Sequence, residues 1–451
     1  MMRESTLFAA IWFLIAGIDD LIVDVIYAAQ LLRRRVLHLF GAVLTDPADL
    51  ATGQTLPLAI FIGAWDESPV IGSMLRTALD RFEYPDYRLY VGTYPNDPAT
   101  IAAVAEVACE EPRIRLVIGD VPGPTTKADC LNGLWRALRR DEASEGRRHA
   151  AIILHDAEDL VHPQELTVFA HYLPRYAAVQ LPVLPLPHPR SRFVSGHYLD
   201  EFAEAHGKQL LVRRAVGAAL PLAGVGCAIR RDMLDSIAAA RGGHPFDASS
   251  LTEDYELGLT IGATKAAMVL ARVEDLRTGT LVAVRAYFPD TLHAAVRQKA
   301  RWMTGIALAG WDRTGWAKAT RLGDHWMRMR DRRATLAIPV LVLAYCALVL
   351  WGLSSALHLA GGGSVPEPSA GLRIVLLANL ALLGWRTVVR AAFVGRAYGW
   401  REAGLSVPRV FVGNYIALLA ARRALFLYVG LLAGGVVRWD KTAHEFPEQA
   451  A

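Results

Sequence analysis

Long apolar runs lie near both ends of the chain and predict membrane helices. Residues 335–360 read TLAIPVLVLAYCALVLWGLSSALHLA, in which His358 is the one residue that could carry a charge. About 20 such residues are enough to cross the roughly 30 Å of hydrocarbon in a bilayer. Comparable but interrupted runs occupy 7–32, 374–395 and 404–437. We therefore predict an N-terminal transmembrane helix within 1–35 and a C-terminal membrane region over 335–451, with spans near 335–360 and 374–395.

Charged residues inside the other runs determine how each one is interpreted. These residues are Asp19, Asp20 and Asp24 in the first run, Arg386 and Arg390 in 374–395, and Arg422 and Arg423 in 404–437. A charge at the centre of a bilayer costs about 2.5–3.5 kcal/mol on insertion scales. The first run is either a buried span whose acids face other helices or a partly interfacial helix. For 404–437, an interfacial or re-entrant helix is cheaper than a full span.

The spacing of these charges suggests how two of the helices pack. Asp20 and Asp24 are four residues apart and share one helix face, and so do Arg386 and Arg390. We predict that these two faces pack in register, or that both line a polar path. The alternative is that one or both segments lie at the membrane surface, where the charges stay hydrated.

Arginine clusters flank the segment 36–334 on both sides. Arg33, Arg34 and Arg35 precede it, and Arg328, Arg330, Arg332 and Arg333 end it. Loops rich in Lys and Arg remain on the cytoplasmic side of a membrane. The segment 36–334 is therefore predicted to be cytoplasmic, and so is the polar tail after 437.

Between the membrane segments, short apolar runs alternate with helical patterns. The runs LPLAIFIGA, RLYVGTY, RIRLVIGD and AAIILHD each read as a buried strand, and amphipathic segments separate them. Continuous apolar strands that alternate with helices are typical of an α/β fold with a mostly parallel sheet. Ligands of such sheets bind at the carboxyl ends of the strands. The fold predicted for 36–334 is thus a mostly parallel sheet flanked by helices.

Composition excludes several classes of protein. Apolar residues make up 53% of the 451 residues and charged residues 20%, with a mean hydropathy of +0.25. Soluble domains average about 45–50% apolar and 25% charged residues, so this composition argues against a fully soluble protein. A net charge of +4 is too small to indicate a nucleic-acid binder. The four cysteines lack C-x-x-C spacing, and neither a P-loop nor a dinucleotide-binding glycine motif is present, so zinc, disulfide and dinucleotide classes are disfavoured.

Polar side chains follow each predicted strand. They are Asp66 and Glu67 after the first, Asn96 and Asp97 after the second, Lys127 and Asp129 after the third, and His155, Asp156, Glu158 and Asp159 after the fourth. A single acid in such a place is most often a helix N-cap. Two acids two residues apart can instead present oxygens to Mg²⁺ or Mn²⁺. A distant acid such as Asp254 could supply a general base, and an arginine fork such as Arg301 suits phosphate oxygens.

Five short motifs occur in order over roughly 55–310 and are followed by apolar helices: D…D…D-x-E…T-E-D…Q-x-x-R-W. In this order the chain resembles the membrane-embedded family 2 glycosyltransferases. This group includes the cellulose, chitin and hyaluronan synthases. Within it, HDAEDLVHPQEL, PLAGVGCAIRRDML, LTEDYELG and WDKTAHEFP look most like the phage-adsorption protein B type. The resemblance implies a GT-A-like fold in a multi-pass protein of the bacterial inner membrane. It also implies transfer with inversion at the sugar carbon.

The resemblance assigns catalytic and metal-binding roles. Asp254 matches the T-E-D aspartate, which is the catalytic base of the family. Asp156 and Glu158 match the D-x-D pair that holds Mg²⁺ or Mn²⁺ on the diphosphate. The third position is more commonly Asp, so Asp159 is a rival ligand to Glu158. The loop 223–227 matches a glycine-containing acceptor loop, although a plain turn is the alternative.

The resemblance also assigns substrate contacts. They fall on Asp97, Lys127, Asp129, Gln298, Arg301 and Trp302. Asp97 matches the acid near uracil and ribose, and Lys127 and Asp129 match the K-A-D/G-x-N segment that contacts the nucleotide. In Q-x-x-R-W, Arg301 would contact the diphosphate and Trp302 would stack on the acceptor sugar.

The implied function is a metal-dependent synthase that uses a UDP-N-acetylhexosamine or UDP-hexose to extend a polysaccharide. Its partners would be the donor, the growing glycan or a lipid-linked acceptor, membrane lipids and export proteins, without nucleic acid. The alternatives are a non-processive transferase acting on a lipid carrier, and a non-enzymatic membrane receptor or scaffold. Relatives of the phage-adsorption type continue beyond W-D-K-T-x-H-E-F-P into a cyclic-dinucleotide-binding domain, whereas this chain stops four residues after Pro447. We therefore expect such regulation to need a separate protein.

Overall fold

The computed structural model describes residues 2–39, 55–364, 367–435 and 444–447. The strands are β1 (Leu58–Gly63), β2 (Tyr87–Thr93), β3 (Ile114–Ile118), β4 (Ala151–His155), β5 (Ala178–Gln180), β6 (Cys227–Arg230), β7 (Met268–Leu270), β8 (Glu274–Asp275) and β9 (Thr280–Leu281). The helices of the central domain are α2 (Ile71–Arg81), α3 (Pro98–Glu110), α4 (Lys127–Glu145), α5 (Glu165–Tyr172), α6 (Gly196–Glu204), α7 (Leu210–Ala215), α8 (Arg231–Ala240), α9 (Glu253–Ala263), α10 (Leu292–Met303), α11 (Ala309–Thr314) and α12 (Leu322–Arg332). Four long helices flank this domain: α1 (Met2–Leu39), α13 (Ala334–Ala360), α14 (Ala370–Tyr398) and α15 (Trp400–Leu432). Two π-helical segments, Ala205–Gln209 and Thr304–Leu308, follow α6 and α10.

Seven strands form the central sheet, in the order β3-β2-β1-β4-β6-β5-β7. The pairs β3–β2, β2–β1, β1–β4 and β5–β7 are parallel, and β6 runs antiparallel to both of its neighbours. The predicted α/β fold with a mostly parallel sheet is confirmed. The antiparallel β6 brings the chain back beside β4, which places the loop before β6 next to the loop after β4.

Both faces of the sheet are covered, and β1 shows why its sequence is continuously apolar. Leu58, Ile60 and Ile62 pack into a core with α2 and α5 on one face. Ala59 and Phe61 pack into the core with α4, α8 and α9 on the other face. Side chains of a strand alternate between faces, so a strand buried on both sides carries no polar positions. The polar side chains associated with β1 therefore lie in the loop that follows the strand, as Asp66 and Glu67 do.

The four flanking helices are each long and apolar enough to cross a membrane by length and composition. α1 packs against α13 and α14, and α14 packs against α15. The predicted spans near 335–360 and 374–395 correspond to α13 and α14. The predicted boundaries and cytoplasmic placement of 36–334 remain predictions. Residues 40–54, 436–443 and 448–451 lie outside the described part of the chain.

The acids of α1 are paired, though only partly as their spacing predicts. Asp20 forms an ion pair with Arg386 of α14 at 2.9 Å. Asp24 instead accepts from the Trp385 indole at 2.8 Å and pairs with Lys208. Arg390 pairs with Glu204 of α6 at 3.2 Å. The predicted packing of the two faces therefore holds for Asp20 and Arg386. Asp24 and Arg390 do not pair directly, because the π-helical segment after α6 places Lys208 between Asp24 and Glu204, and Glu204 pairs with Arg390.

The helix α15 lies along the central domain over most of its length. Near its start, Arg409 donates to the Arg192 carbonyl at 2.7 Å and pairs with Asp200 at 3.2 Å. Further along, it packs against α10. Near its end, the Tyr428 hydroxyl donates to Asp312 at 2.7 Å. One face of α15 is thus covered by the central domain from end to end.

Candidate active site

The carboxyl ends of β1 and β4 meet the N-terminal ends of α4 and α9 at one edge of the sheet. Asp156 follows β4 and forms an ion pair with Lys127, the first residue of α4. The Lys127 ammonium also donates to the Gly224 carbonyl at 3.3 Å. Burial raises the pKa of Asp156, but the attraction of Lys127 outweighs it and leaves this pKa lowered. Asp156 is therefore held as a carboxylate between the loop after β4 and the loop before β6.

Asp254 lies in the first turn of α9, opposite this pair. A side chain added at Gly224, which has a φ of +75°, would stand 2.5 Å from the Asp254 carboxylate. Glycine adopts such a backbone without strain, so Gly224 lets the loop approach the acid closely. Burial raises the pKa of Asp254, while Lys127 acts in the opposite direction. A raised pKa suits a general base, which must accept a proton during the reaction.

Three side chains form a cluster suited to a metal ion. One ligand atom each from Glu67, Glu158 and His444 lies within 4.8 Å of the other two. His444 Nδ1 is 2.9 Å from Glu67 and 3.3 Å from Glu158. Burial raises the pKa of Glu158 to about 8, and His444 works against this shift. Two carboxylates and an imidazole are ligands that Mn²⁺ accepts, so the residues present fit the expected divalent cation.

Asp159, the rival ligand, is not one of the three clustered side chains. Its carboxylate accepts from His155 Nδ1 at 2.8 Å and from the Asp156 amide at 3.0 Å. The other nitrogen of His155 is 2.6 Å from Glu165. Burial opposes protonation of His155, but Glu165 and Asp159 together raise its pKa to about 10. Asp159 thus stabilises the loop after β4. It belongs to a buried hydrogen-bonded chain that runs from Asp159 through His155 to Glu165.

Asp97 and Asp129 lie at helix N-termini beside the cleft. One oxygen of Asp97 accepts from the Thr100 amide at 3.2 Å and caps α3, and the other accepts from the Asp66 amide at 2.6 Å. Asp97 therefore fixes the loop after β1 as well as a helix. Asp129 lies in the first turn of α4, where Thr126 provides the cap. The predicted nucleotide contacts of both residues stay predictions.

Helix α10 carries the three residues of Q-x-x-R-W. The charge of Arg301 acts on Asp156, Glu253 and Asp254, so its guanidinium reaches the same cleft. Among the described residues, Arg301 Nε and the Gln298 side-chain oxygen are buried without a hydrogen-bond partner. Such groups are rare in folded proteins. Both are available to a ligand.

Trp302, on the same helix, packs in a cluster that also contains Ile416 of α15. It belongs to an aromatic cluster, with ring centroids 6.0 Å from Tyr198, 6.2 Å from Phe202 and 6.5 Å from Phe288. Its ring is only half-buried. The cluster holds the indole in place while the residue stays partly exposed, which is compatible with the predicted stacking on a sugar.

His444 is the site residue that sequence reasoning missed. The segment 444–447 returns to the site after α15, where His188 lies 3.1 Å from Glu445 and Phe446 packs on the sheet's hydrophobic core. His444 lies within the motif WDKTAHEFP, which supports the family resemblance but to which the resemblance assigns no function. Glu67 was seen only as a candidate helix cap.

Comparison with known proteins identifies the family of the chain. Residues 56–305 match the glycosyltransferase-like family 2. The chain belongs to glycosyltransferase family 2. It is 35% identical over 463 aligned residues to bacteriophage adsorption protein B of Escherichia coli K12 and to bacteriophage N4 adsorption protein B of Escherichia coli O157:H7. The match covers 97% of this chain and 61% of each relative, so this glycosyltransferase spans about three fifths of their length.

A solved structure shares the fold of this glycosyltransferase. It is a mannosyltransferase from Pyrobaculum calidifontis in complex with GDP-Man and Mn²⁺, with a TM-score of 0.54 and 16% sequence identity. The superposition covers 94% of this chain and 99% of that one, so it includes the flanking helices as well as the sheet. The predicted GT-A-like fold and the predicted enzyme class are confirmed.

Proposed function

We propose that this family 2 glycosyltransferase is a metal-dependent, inverting enzyme that extends a polysaccharide from a UDP-N-acetylhexosamine or UDP-hexose at the bacterial inner membrane. The observation that carries the proposal is the close approach of Gly224 to Asp254 opposite the Lys127–Asp156 ion pair. It brings a candidate base, a candidate metal loop and a candidate acceptor loop to one cleft. Those are the parts that a single displacement at a sugar carbon needs.

Metal binding is proposed for Glu158, with Glu67 and His444 as further ligands and Asp156 facing the same space. A divalent cation bound there would neutralise charge on the leaving diphosphate. Mn²⁺ suits this set better than Mg²⁺ because one donor is an imidazole nitrogen. The Lys127 ammonium keeps Asp156 ionised before any cation binds.

The chemistry at the cleft follows from the chain's own residues. Asp254 accepts the proton of the acceptor hydroxyl as that oxygen attacks the sugar carbon. Arg301, whose Nε lacks a protein partner among the described residues, donates to phosphate oxygens of the leaving diphosphate. Burial and the neighbouring Asp254 raise the pKa of Glu253 to about 7, so the two adjacent acids do not both ionise readily. This favours one negative charge in the base position.

The position of His444 limits how α15 can lie in the membrane. His444 lies in the cleft, and Gly435, the last described residue after α15, is nine positions before it. Nine residues span at most about 30 Å. That length would be used up in crossing the hydrocarbon core alone, and the cleft lies beyond the core in the central domain, so we place the end of α15 on the same side as the cleft. We therefore favour α15 as an interfacial helix beneath the cytoplasmic domain, with α1, α13 and α14 as spans.

A non-processive transferase that acts on a lipid-linked acceptor is the second candidate. The groove between α10 and α15 favours it, because it has a volume of about 720 Å³ and is lined by Leu419, Phe426 and Arg422. An apolar groove with a basic residue would suit a lipid carrier. A receptor or scaffold role, which the name of the relatives allows, would not require a complete set of acids in the cleft.

A panel of labelled nucleotide sugars distinguishes these functions. Membranes containing the protein are incubated with each donor and Mn²⁺, and products are separated into insoluble polymer and lipid-soluble material. We expect polymer from a UDP-sugar. Lipid-soluble product alone would establish the second candidate, and absence of transfer with every donor would contradict the proposed enzyme.

A further inference from the structure

A cavity separate from the candidate active site and from the groove between α10 and α15 lies where α1 and α14 meet the central domain. It has a volume of about 590 Å³ and none of its lining residues belongs to the candidate active site. Tyr27 of α1 and Phe393 of α14 form one wall, with ring centroids 5.5 Å apart. The opposite wall comes from the β8–β9 hairpin and the chain around Arg285. The cavity is therefore part membrane helix and part cytoplasmic domain.

The polar lining of this cavity is strongly basic. Arg272, Arg285 and Arg396 converge on it from three separate elements, and Glu274 is the one acid among the lining residues. Within the described part of the chain, neither Arg285 nor Arg396 forms an ion pair with a carboxylate. Arg272 donates to the His206 carbonyl at 2.9 Å, which orients its guanidinium. Guanidinium groups such as those of Arg285 and Arg396, which converge without a carboxylate partner among the described residues, are suited to phosphate.

The local backbone keeps the cavity close to the membrane helices. Gly207, in the π-helical segment Ala205–Gln209, lines it, and a side chain there would stand 2.7 Å from the Phe393 ring. π-helical segments often occur at functional sites. The glycine lets α14 approach the domain and places Arg396, in the last turn of α14, at the mouth of the cavity.

We propose that this cavity binds the phosphate headgroup of an anionic membrane phospholipid, with its apolar part along α1 and α14. Basic pockets between membrane helices on the cytoplasmic side are typical sites for anionic headgroups. Exposed Arg33 and Arg35 lie one turn beyond the cavity on α1 and add to the attraction. The cavity shares no lining residue with the candidate active site, so a negative result for lipid binding would not contradict the proposed transferase function.

Binding of short-chain phosphatidylglycerol to the full-length, delipidated protein in detergent tests this proposal. Calorimetry compares the wild type with Arg285→Gln/Arg396→Gln. Arg401→Gln is the matched control, because Arg401 is exposed, lies five positions after Arg396 and does not line the cavity. We expect the double variant to lose at least about tenfold in affinity, and the control to bind as the wild type does. Equal affinity in the double variant would overturn the proposal.

Further arms separate the source of the phosphate and guard against misfolding. Inorganic phosphate and phosphatidylcholine of the same chain length are titrated in parallel, and both are expected to bind more weakly. Inorganic phosphate that binds as tightly as the lipid would make this a site for a free anion and overturn the lipid assignment. Arg396→Gln alone is a surface change that should fold, and Arg285→Lys/Arg396→Lys should restore part of the lost affinity. Binding unaffected by Arg396→Gln and not restored by lysine would also contradict the proposal.

Discussion

His444 and Glu67 meet at 2.9 Å although 377 positions separate them in the chain. Glu67 follows the first strand of the sheet, and His444 follows the last long helix. Their contact means that the C-terminal segment completes the wall of the candidate metal site. The segment that follows α15 therefore connects the flanking helices directly to the candidate active site.

Replacement of His444 by alanine is expected to weaken Mn²⁺-dependent binding of a nucleoside diphosphate. Loss of a group that supports a metal site typically costs about 10–100-fold in affinity. Calorimetry with UDP, with and without Mn²⁺, measures the effect. His244→Ala serves as the control because His244 is exposed and is not one of the three clustered side chains. If UDP affinity in Mn²⁺ stayed at the wild-type value, His444 would not be a ligand.

The two neighbouring acids after β4 are expected to behave differently. Glu158→Gln should lose metal-dependent UDP binding, since Glu158 faces His444. Asp159→Asn should retain it but unfold more readily, since Asp159 supports His155. The same titration, combined with thermal unfolding in detergent, separates the two effects. The reverse pattern would transfer the metal-binding role to Asp159.

Asp254→Asn is expected to abolish transfer while UDP binding remains near normal. The amide keeps the shape of the side chain but cannot accept a proton, and removal of a general base typically costs about 10²–10⁴-fold in rate. Asp232→Asn is the control, because Asp232 is exposed and pairs with Arg230 at the surface. A variant with more than half of the wild-type rate would exclude Asp254 as the base.

Stability should depend on pH through His155. Its ordinary pKa of 6.5 is raised to about 10 in the folded chain, because Glu165 and Asp159 outweigh burial. A raised pKa stabilises the folded state fully below pH 6.5, and the stabilisation is lost as pH rises from 6.5 through about 10. His155→Gln should remove this part of the pH dependence and lower stability by about 3–5 kcal/mol below pH 6.5, as when one partner of a buried pair is removed. Thermal unfolding in detergent between pH 6 and 10 compares the two proteins, and parallel curves would contradict the assignment.

Asp20→Asn is expected to destabilise the packing of α1 on α12 and α14. Asp20 accepts from Arg330 at 2.9 Å and Arg333 at 2.7 Å, and pairs with Arg386. Loss of hydrogen bonds to a charged group costs about 1.5–3 kcal/mol. Glu367→Gln, which disturbs an exposed pair with Arg373, should have almost no effect. Denaturation in mixed detergent compares them, and equal stabilities would show that the α1 pairs contribute little.

The sequence by itself predicted the first four strands, the apolar flanking helices and the candidate site acids. Continuous apolar runs such as β1 specify strands buried on both faces, because no polar position can face water. Asp156, Glu158 and Asp254 were predicted because each belongs to a short motif at a strand end or helix start. Local patterns of this kind depend on residues that are neighbours in the chain.

Only the tertiary structure decided which distant residues meet. His444 joins Glu67, and Arg390 pairs with Glu204 rather than Asp24. Helical spacing fixes which charges share a face, but it does not fix the rotation and depth at which two helices pack. Those depend on the summed packing of many side chains, and here the π-helical segment that carries Lys208 changed the partners. Long-range contacts are therefore properties of the folded chain, because no single stretch of sequence contains the geometry that brings them together.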